Sequence, residues 1–92
     1  MIRSFADEDT EQVFHHRHSR LYAAIQRVAL RKLRQIHSVS MVEELYSPPA
    51  NRLERLKGDR KGEWSLRINS QYRICFEWKD GDAYNVEIVA YH

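Results

Sequence analysis

The sequence predicts an α+β fold in which two N-terminal helices pack on an antiparallel β-sheet. Apolar residues recur with helical spacing before residue 47 and alternate with a period of two from Trp64 onward. No helical pattern separates the later strands, so a parallel βαβ arrangement is not expected. At 92 residues, 42% of them apolar and 30% charged, the chain is expected to fold as a single domain over residues 1–92.

The chain begins with a short alternating segment, residues 2–5, which suits an edge strand. A first helix should follow, because Asp7 or Asp9 can cap its N-terminus and Val13 and Phe14 supply an apolar side. His15 and His18 come next, without a carboxylate or cysteine at metal-ligand spacing. We therefore expect a solvated helix end there and no metal site.

The second helix has the clearest periodicity. Its apolar face comprises Leu21, Ile25, Val28, Ala29, Leu33 and Ile36. Its other face is basic, with Arg27, Arg31, Lys32 and Arg34, and is expected to be solvated or to lie along a nucleic acid. Ser40 and Glu43 have capping-box spacing, which predicts a helical turn over residues 42–46. Pro48 and Pro49 must end that turn.

The second half of the chain reads as a loop followed by a β-meander. Leu53 and Leu56 lead into a loop that contains Gly58 and Gly62. Strands are then predicted at residues 64–68, 72–78 and 83–92, joined by turns at 69–71 and 80–81. In the last strand, alternation places Tyr84, Val86, Ile88, Ala90 and His92 on one face and Asn85, Glu87, Val89 and Tyr91 on the other.

Cysteine content and charge restrict the function further. The single cysteine, Cys75, excludes an internal disulfide and is expected to be a small buried hydrophobe in its strand. The first twenty residues lack an apolar leader segment, so we expect a cytoplasmic protein with no membrane association. Residues 52–73 hold seven basic and three acidic residues, a net charge of +4. Local positive charge of this kind indicates a polyanionic partner.

Several motifs together resemble one known family. They are the run from Asn51 to Gly62, the pair Trp64-Ser65, the triplet Tyr72-Arg73-Ile74 and the closing Tyr91-His92. With the length of the chain, they resemble the HigB-type host-inhibition toxins of the RelE/ParE superfamily. The resemblance implies a RelE-like microbial RNase fold and a type II toxin that cuts mRNA in the 30S A site of the ribosome. It also implies a HigA-like helix-turn-helix antitoxin as partner, with operator DNA bound only through that antitoxin.

The resemblance assigns catalytic positions to Lys57, Arg73, Ala90, Tyr91 and His92. In metal-free RNA cleavage the substrate's 2′-OH is the nucleophile, so the protein must move protons and stabilise the phosphorane, without a cofactor. Lys57 and Arg73 suit the phosphate, His92 suits proton transfer, and Tyr91 can position the phosphate or a base. Residues expected to bind RNA or the ribosome are Arg52, Arg55, Arg60, Lys61 and Arg67. Alternatively, Arg73 could be held by Glu77 on the same strand face.

Two positions depart from the family pattern. Ala90 stands where similar sequences commonly carry Asp before Tyr-His, and Glu54 stands where some members carry His. Alanine can neither accept a proton nor orient His92, so the chain either relies on Lys57, Arg73 and His92 or is a weakened endoribonuclease. A gyrase-inhibiting relative and a non-catalytic module that binds nucleic acid or antitoxin remain alternatives.

Overall fold

The computed structural model describes residues 1–91 and confirms the α+β fold, with two helices on a four-stranded antiparallel sheet. The helices are α1 (Glu8–Phe14) and α2 (Gln26–Ser38). The strands are β1 (Glu54–Arg55), β2 (Glu63–Arg67), β3 (Tyr72–Lys79) and β4 (Asp82–Ala90), in the order β1-β2-β3-β4. Short 3₁₀ turns cover Ala23–Ile25, Val42–Tyr46, Pro49–Asn51 and Gly58–Arg60. Within residues 1–91 no helix has the length and apolar content needed to cross a bilayer.

The helices cover one face of the sheet, here called the inner face, and leave the other, the outer face, for polar residues. Side chains alternate along β3, so the fully buried Ile74 and Phe76 point to the helices while Arg73 and Cys75 point to the outer face. Leu33 and Ile36 of α2 are fully buried in the same core as Ile74 and Phe76. Cys75 is buried as predicted, and this burial raises the pKa of its thiol. Cys75 is thus a neutral thiol beneath the outer face.

Residues 2–5 run beside β4 but do not form the predicted edge strand. They make two isolated parallel bridges, Ile2 with Ala83 and Phe5 with Val86. Between the bridges Asn85 has a φ of 51° and the β3–β4 register shifts, so the ladder is interrupted there. The same bulge corrects the predicted strand face: Ala83 and Val86 are both buried, and Tyr84 therefore points away from the face of Val86.

The free edge of β4, the side that does not pair with β3, is covered by two side chains at Ile88, after the Phe5–Val86 bridge. Thr10 Oγ1 of α1 accepts a hydrogen bond from Ile88 N–H at 3.0 Å, and Tyr22 O–H donates to Ile88 C=O at 3.0 Å. Thr10 itself is placed by the Asp7 N-cap, whose carboxylate accepts from Thr10 N–H at 2.7 Å. Exposed strand edges promote unwanted pairing, so these bonds close an edge that would otherwise be open. Burial, aided by the negative charges of Asp7 and Asp9, raises the pKa of Tyr22 to about 12.

Two predictions about the second helix are wrong. Leu21 lies before the helix and is 62% exposed, because α2 begins only at Gln26 after the turn Ala23–Ile25. Lys32 is buried rather than solvated, and its Nζ donates to Oδ1 of the fully buried Asn51. Asn51 Nδ2 in turn donates to Leu45 C=O at 3.1 Å. Burial lowers the pKa of Lys32. This polar contact fastens α2 to the segment that precedes β1.

The turn predicted over residues 42–46 is present as Val42–Tyr46, but its capping differs by one residue. Met41 is the N-cap, and the Glu44 carboxylate, not that of Glu43, accepts from the N–H groups of Ser40 and Met41 at 3.0 and 2.8 Å. These backbone bonds lower the pKa of Glu44. The turn ends at Ser47 before the prolines, as predicted. Strand β1 was not predicted, because it consists of only two residues, both paired with β2, and shows no alternating pattern.

Candidate active site

Two arginines lie side by side at one end of the outer face. Arg67 at the end of β2 and Arg73 near the start of β3 are direct cross-strand partners in the antiparallel ladder. Like charges in such positions destabilise a sheet, since their Cβ atoms are only about 5 Å apart. In the part of the chain that the structure describes, neither arginine forms an ion pair with a carboxylate. This end of the sheet therefore has uncompensated positive charge.

Arg73 is positioned by Tyr91. The guanidinium carbon lies 5.2 Å from the centroid of the Tyr91 ring, a cation–π arrangement. The buried Nε of Arg73 has no hydrogen-bond acceptor among residues 1–91. Glu77 does not hold it, because Glu77 Oε2 instead accepts from Asn85 Nδ2 at 2.5 Å. Tyr91 is fixed through its backbone N–H, which donates to Gln71 C=O at 2.8 Å.

A shallow pocket of about 260 Å³ is lined by two residues already described, Arg67 and Tyr91, together with Arg52, Glu54 and Ser70. Glu54 of β1 is paired with Ser65 of β2, so its side chain points to the outer face. Arg52 has left-handed backbone geometry, with φ 44° and ψ 52°, where it ends the turn Pro49–Asn51. Such conformations are uncommon for arginine and cluster at functional sites. The pocket therefore combines two arginines, one carboxylate and a phenol.

Lys57 lies apart from that pocket. It is exposed and lines a second pocket of about 520 Å³ with Arg55, Leu56, Gly58, Lys61 and Gly62. Arg55 is placed there by the Trp64 ring, whose centroid is 5.5 Å from the guanidinium carbon. Among residues 1–91 no acidic side chain lines this pocket, so it is also positively charged. The sequence grouped Lys57 with Arg73, but the fold assigns them to neighbouring surfaces.

Arg60 has protein partners. Its guanidinium lies 3.0 Å from Glu63 Oε1 and 2.7 Å from Glu87 Oε1. The hydrogen bond to Glu87 raises the pKa of Arg60. Arg60 therefore differs from the exposed Lys61 beside it, although the sequence treated both as RNA ligands.

Ala90 is exposed at the end of β4, opposite Tyr72 of β3. By alternation it shares the face of Ile88, while Val89 shares that of Arg73. His92, the residue expected to transfer protons, lies outside the described residues. The acid–base side chains that the structure describes in the pocket beside Tyr91 are the Glu54 carboxylate and the Tyr91 phenol itself.

Sequence reasoning named Glu54 only as a departure from the family pattern, and it missed the position of Ser70 in the pocket and the contact of Glu87 with Arg60. The Arg67–Arg73 pair had a usable signal, because the two residues are symmetric about Ser70 in the predicted turn. No group of three His, Cys, Asp or Glu side chains within residues 1–91 is arranged to hold a metal ion. Chemically, the described site can bind an oxyanion through arginine donors and can place a phenol and a carboxylate beside it.

Comparison with known proteins identifies the relatives of this chain. Residues 3–92 match the family described as "RelE-like toxin of type II toxin-antitoxin system HigB". The chain is 38% identical to "Toxin HigB-1" of Vibrio cholerae over 92% of both proteins, and 36% identical to "Endoribonuclease HigB" of Proteus vulgaris over 66% of this chain and 65% of that protein. Its fold is similar to a chain of the YoeB-YefM complex from Staphylococcus aureus, with a TM-score of 0.57, 14% identity and 100% and 98% coverage.

Proposed function

Because the chain belongs to the HigB family of RelE-like toxins from type II toxin–antitoxin systems, we propose that it is a ribosome-dependent endoribonuclease that cuts mRNA in the 30S A site. The observation that carries this proposal is the uncompensated pair Arg67 and Arg73 beside Tyr91. A like-charge pair costs stability in a sheet. A bound phosphate offsets that cost, so the arrangement favours a polyanionic substrate.

In the proposed reaction the 2′-oxygen of the substrate attacks the adjacent phosphorus. The bond from the 2′-oxygen to phosphorus forms, the bond to the 5′-oxygen breaks, and the products are a 2′,3′-cyclic phosphate and a 5′-hydroxyl. Arg73 holds the non-bridging oxygens through its fork of donors, and Tyr91 positions the phosphate or a neighbouring base. His92 moves the proton from the 2′-hydroxyl to the leaving oxygen. No metal ion takes part.

Lys57 is proposed to contact the RNA beside the scissile phosphate. It follows Glu54 by three residues along the same edge of the sheet, a span of about 10 Å in extended chain. An RNA strand that crosses this edge would meet the pocket of Arg52 and Arg67 and then the pocket of Lys57 and Lys61. Arg55 belongs to the second group of contacts.

Toeprinting on programmed ribosomes tests the activity. We expect a new mRNA end in the A-site codon when the purified chain is added, and none when Arg73→Gln is added instead. An mRNA with a single 2′-deoxy nucleotide at the cleavage position should resist the protein, since the nucleophile is absent. Cleavage of the 2′-deoxy mRNA, or the absence of cleavage by both the chain and its Ala90→Asp variant, would refute the proposal.

We propose a HigA-like helix-turn-helix antitoxin as the inhibitory partner, with residues 1–92 acting as one domain in the cytoplasm. A toxin that stops translation in its own host must be held inactive until it is released. Co-expression should give a stable complex that shifts operator DNA in a gel, whereas the toxin alone should not. A toxin that binds operator DNA without its partner would contradict this assignment.

Ala90 is the observation that favours a second candidate function. A non-catalytic module would still need the positive surface at Arg67 and Arg73, but would not need a carboxylate at position 90. Such a module should protect A-site mRNA from a second nuclease without cutting it. The toeprint separates the two functions, because a bound module shifts ribosome occupancy and leaves the mRNA intact.

A further inference from the structure

Arg60 spans the outer face from the loop that carries Lys57. It ends the 3₁₀ turn Gly58–Arg60, and its two terminal nitrogens reach Glu63 of β2 at 3.0 Å and Glu87 of β4 at 2.7 Å. Strands β2 and β4 are both neighbours of β3 and do not pair with each other. A single guanidinium therefore bridges two strands across β3. Glu87 is the register partner of Cys75 on β3, so the bridge lies over the buried thiol.

The contacts of Arg60 argue against a direct role in RNA binding. Its side chain is 35% exposed, and those of Glu63 and Glu87 are 22% and 24% exposed. Two carboxylates already neutralise its one positive charge, and an RNA phosphate would be repelled by both. Glu87 raises the pKa of Arg60, as expected for a charge that is held by its protein partner. The acidic side chains on this face weaken RNA binding. Their presence therefore indicates a structural purpose.

We propose that Arg60, Glu63 and Glu87 form a clamp, the Arg60 clamp, that positions the loop of residues 56–62 over the sheet for mRNA cleavage. This inference rests on the proposed function. The loop carries Lys57 and Lys61, and the face beneath it carries Arg73. The clamp fixes the position of the loop cations relative to Arg73. Arg60 and Glu87 are thus positioning residues, and Glu87 supports cleavage although it adds negative charge near the substrate.

The test is a mutant cycle with Arg60→Gln, Glu87→Gln and the double variant. Lys61→Gln is the matched control, because Lys61 is in the same loop, loses the same charge and forms no ion pair within residues 1–91. We expect each clamp variant to lower the single-turnover cleavage rate about tenfold or more, since small misplacements of positioning groups have effects of this size. The double variant should be no slower than either single one.

The control should behave differently. Lys61→Gln should weaken ribosome binding and reduce its salt dependence by about one phosphate contact, whereas the clamp variants should keep the parental salt dependence. Arg60→Lys should recover part of the rate, since an ammonium can reach one carboxylate but lacks the fork that spans two. If Glu87→Gln binds more tightly and cuts at the parental rate, while Arg60→Gln loses salt dependence, then Arg60 is a direct RNA ligand and the clamp is refuted.

Amide hydrogen exchange in the free protein tests the clamp without any activity. Arg60→Gln and Glu87→Gln should both speed exchange at Gly58, Lys61 and Gly62, while β3 amides stay protected and Lys61→Gln stays like the parent. Unchanged loop exchange in both clamp variants would overturn the clamp whatever the cleavage data show. If the loop loosens as expected but the chain and its Ala90→Asp variant cut no mRNA, the clamp stands as a structural device and the proposed endoribonuclease fails.

Discussion

Replacing Arg73 by glutamine should lower the cleavage rate by orders of magnitude with little effect on the stability of the fold. Among residues 1–91 the Arg73 guanidinium has one favourable contact, the cation–π arrangement with Tyr91, which is set against the opposing Arg67 and a buried Nε that lacks an acceptor. An exposed cation–π contact contributes about 0.5–1 kcal/mol, and a like-charge cross-strand pair costs about 0.2–1 kcal/mol. These two magnitudes nearly cancel, and the substitution also removes the buried Nε that lacks an acceptor, so we expect the free energy of unfolding to fall by less than about 1 kcal/mol. The melting temperature should then move by less than roughly 8 °C.

The effect on cleavage should be far larger. A bidentate arginine makes two charge-assisted hydrogen bonds to the phosphorane, each worth about 1.5–3 kcal/mol. Loss of both raises the barrier by roughly 3–6 kcal/mol, which is a rate decrease of about 10² to 10⁴-fold. Glutamine retains a donor of similar length but not the charge. The separation of a large rate effect from a small stability effect distinguishes a substrate contact from a structural one.

The assay measures single-turnover cleavage on programmed ribosomes and thermal unfolding of the same samples. Arg73→Gln is made both in the parental chain and in the Ala90→Asp background. Arg55→Gln is the control, because it removes the same charge from the pocket that holds Lys57 and leaves Arg73 and Tyr91 in place. It should weaken binding and keep the rate at saturation. Cleavage by Arg73→Gln at more than a tenth of the parental rate, or a loss of stability above about 2 kcal/mol, would refute the reasoning.

Three further predictions concern the fold and Ala90. Tyr22→Phe leaves the buried Ile88 C=O without its donor and should lower the free energy of unfolding, measured with urea at pH 7, by about 1–3 kcal/mol. The pKa of Tyr22 is raised to about 12 in the folded protein, so the stabilisation by its hydroxyl is complete below pH 10 and should shrink between pH 10 and 12. An equal loss of unfolding free energy in Tyr22→Phe at pH 7 and at pH 11.5 would contradict this. Asn51→Leu should lower the free energy of unfolding by about 3 kcal/mol or more, because it leaves the buried Lys32 without its acceptor. Adding Lys32→Met should recover part of this loss in chemical denaturation, and additive effects of the two changes would contradict the prediction. Ala90→Asp should raise mRNA cleavage about 10²-fold or more with little change in melting temperature, since position 90 is exposed; equal cleavage rates would show that this position has no catalytic part.

The elements that the sequence predicted well are those set by local periodicity. The alternation in β2 and β3 and the apolar stripe of α2 identify the core because one side of each element is buried. The errors arise where a contact or a backbone conformation that periodicity does not reveal overrides the local pattern. Lys32 is buried because Asn51, far along the chain, supplies an acceptor, and no periodicity reveals such a partner. Tyr84 changes face because Asn85 takes a left-handed conformation, which asparagine tolerates better than most residues.

The candidate site was predictable to a similar extent. Residue types and the family resemblance indicated Arg73 and Tyr91, and the structure brings their side chains together. The symmetry of Arg67 and Arg73 about Ser70 was a signal for their pairing that the sequence prediction did not use. The contact of Arg60 with Glu87 could not be predicted, because it depends on how the loop folds back over a sheet whose strands are separated in sequence. Charge count alone therefore overestimated the positive surface available to RNA.

The distribution of charge along β3 suggests how substrate RNA is oriented. The residues of β3 on the outer face run from Arg73 through the buried Cys75 to Glu77, so one end is cationic and the other anionic. Glu63 lies opposite Glu77 in the ladder, as Arg67 lies opposite Arg73. A phosphate backbone laid along β3 would be repelled at the Glu77 end, whereas one crossing the strands at Arg73 and Arg67 would avoid that end and pass the Glu54 carboxylate beside Arg52. Under the proposed function, the acidic end thus restricts the RNA to a path across the sheet, past Tyr91 and toward β1.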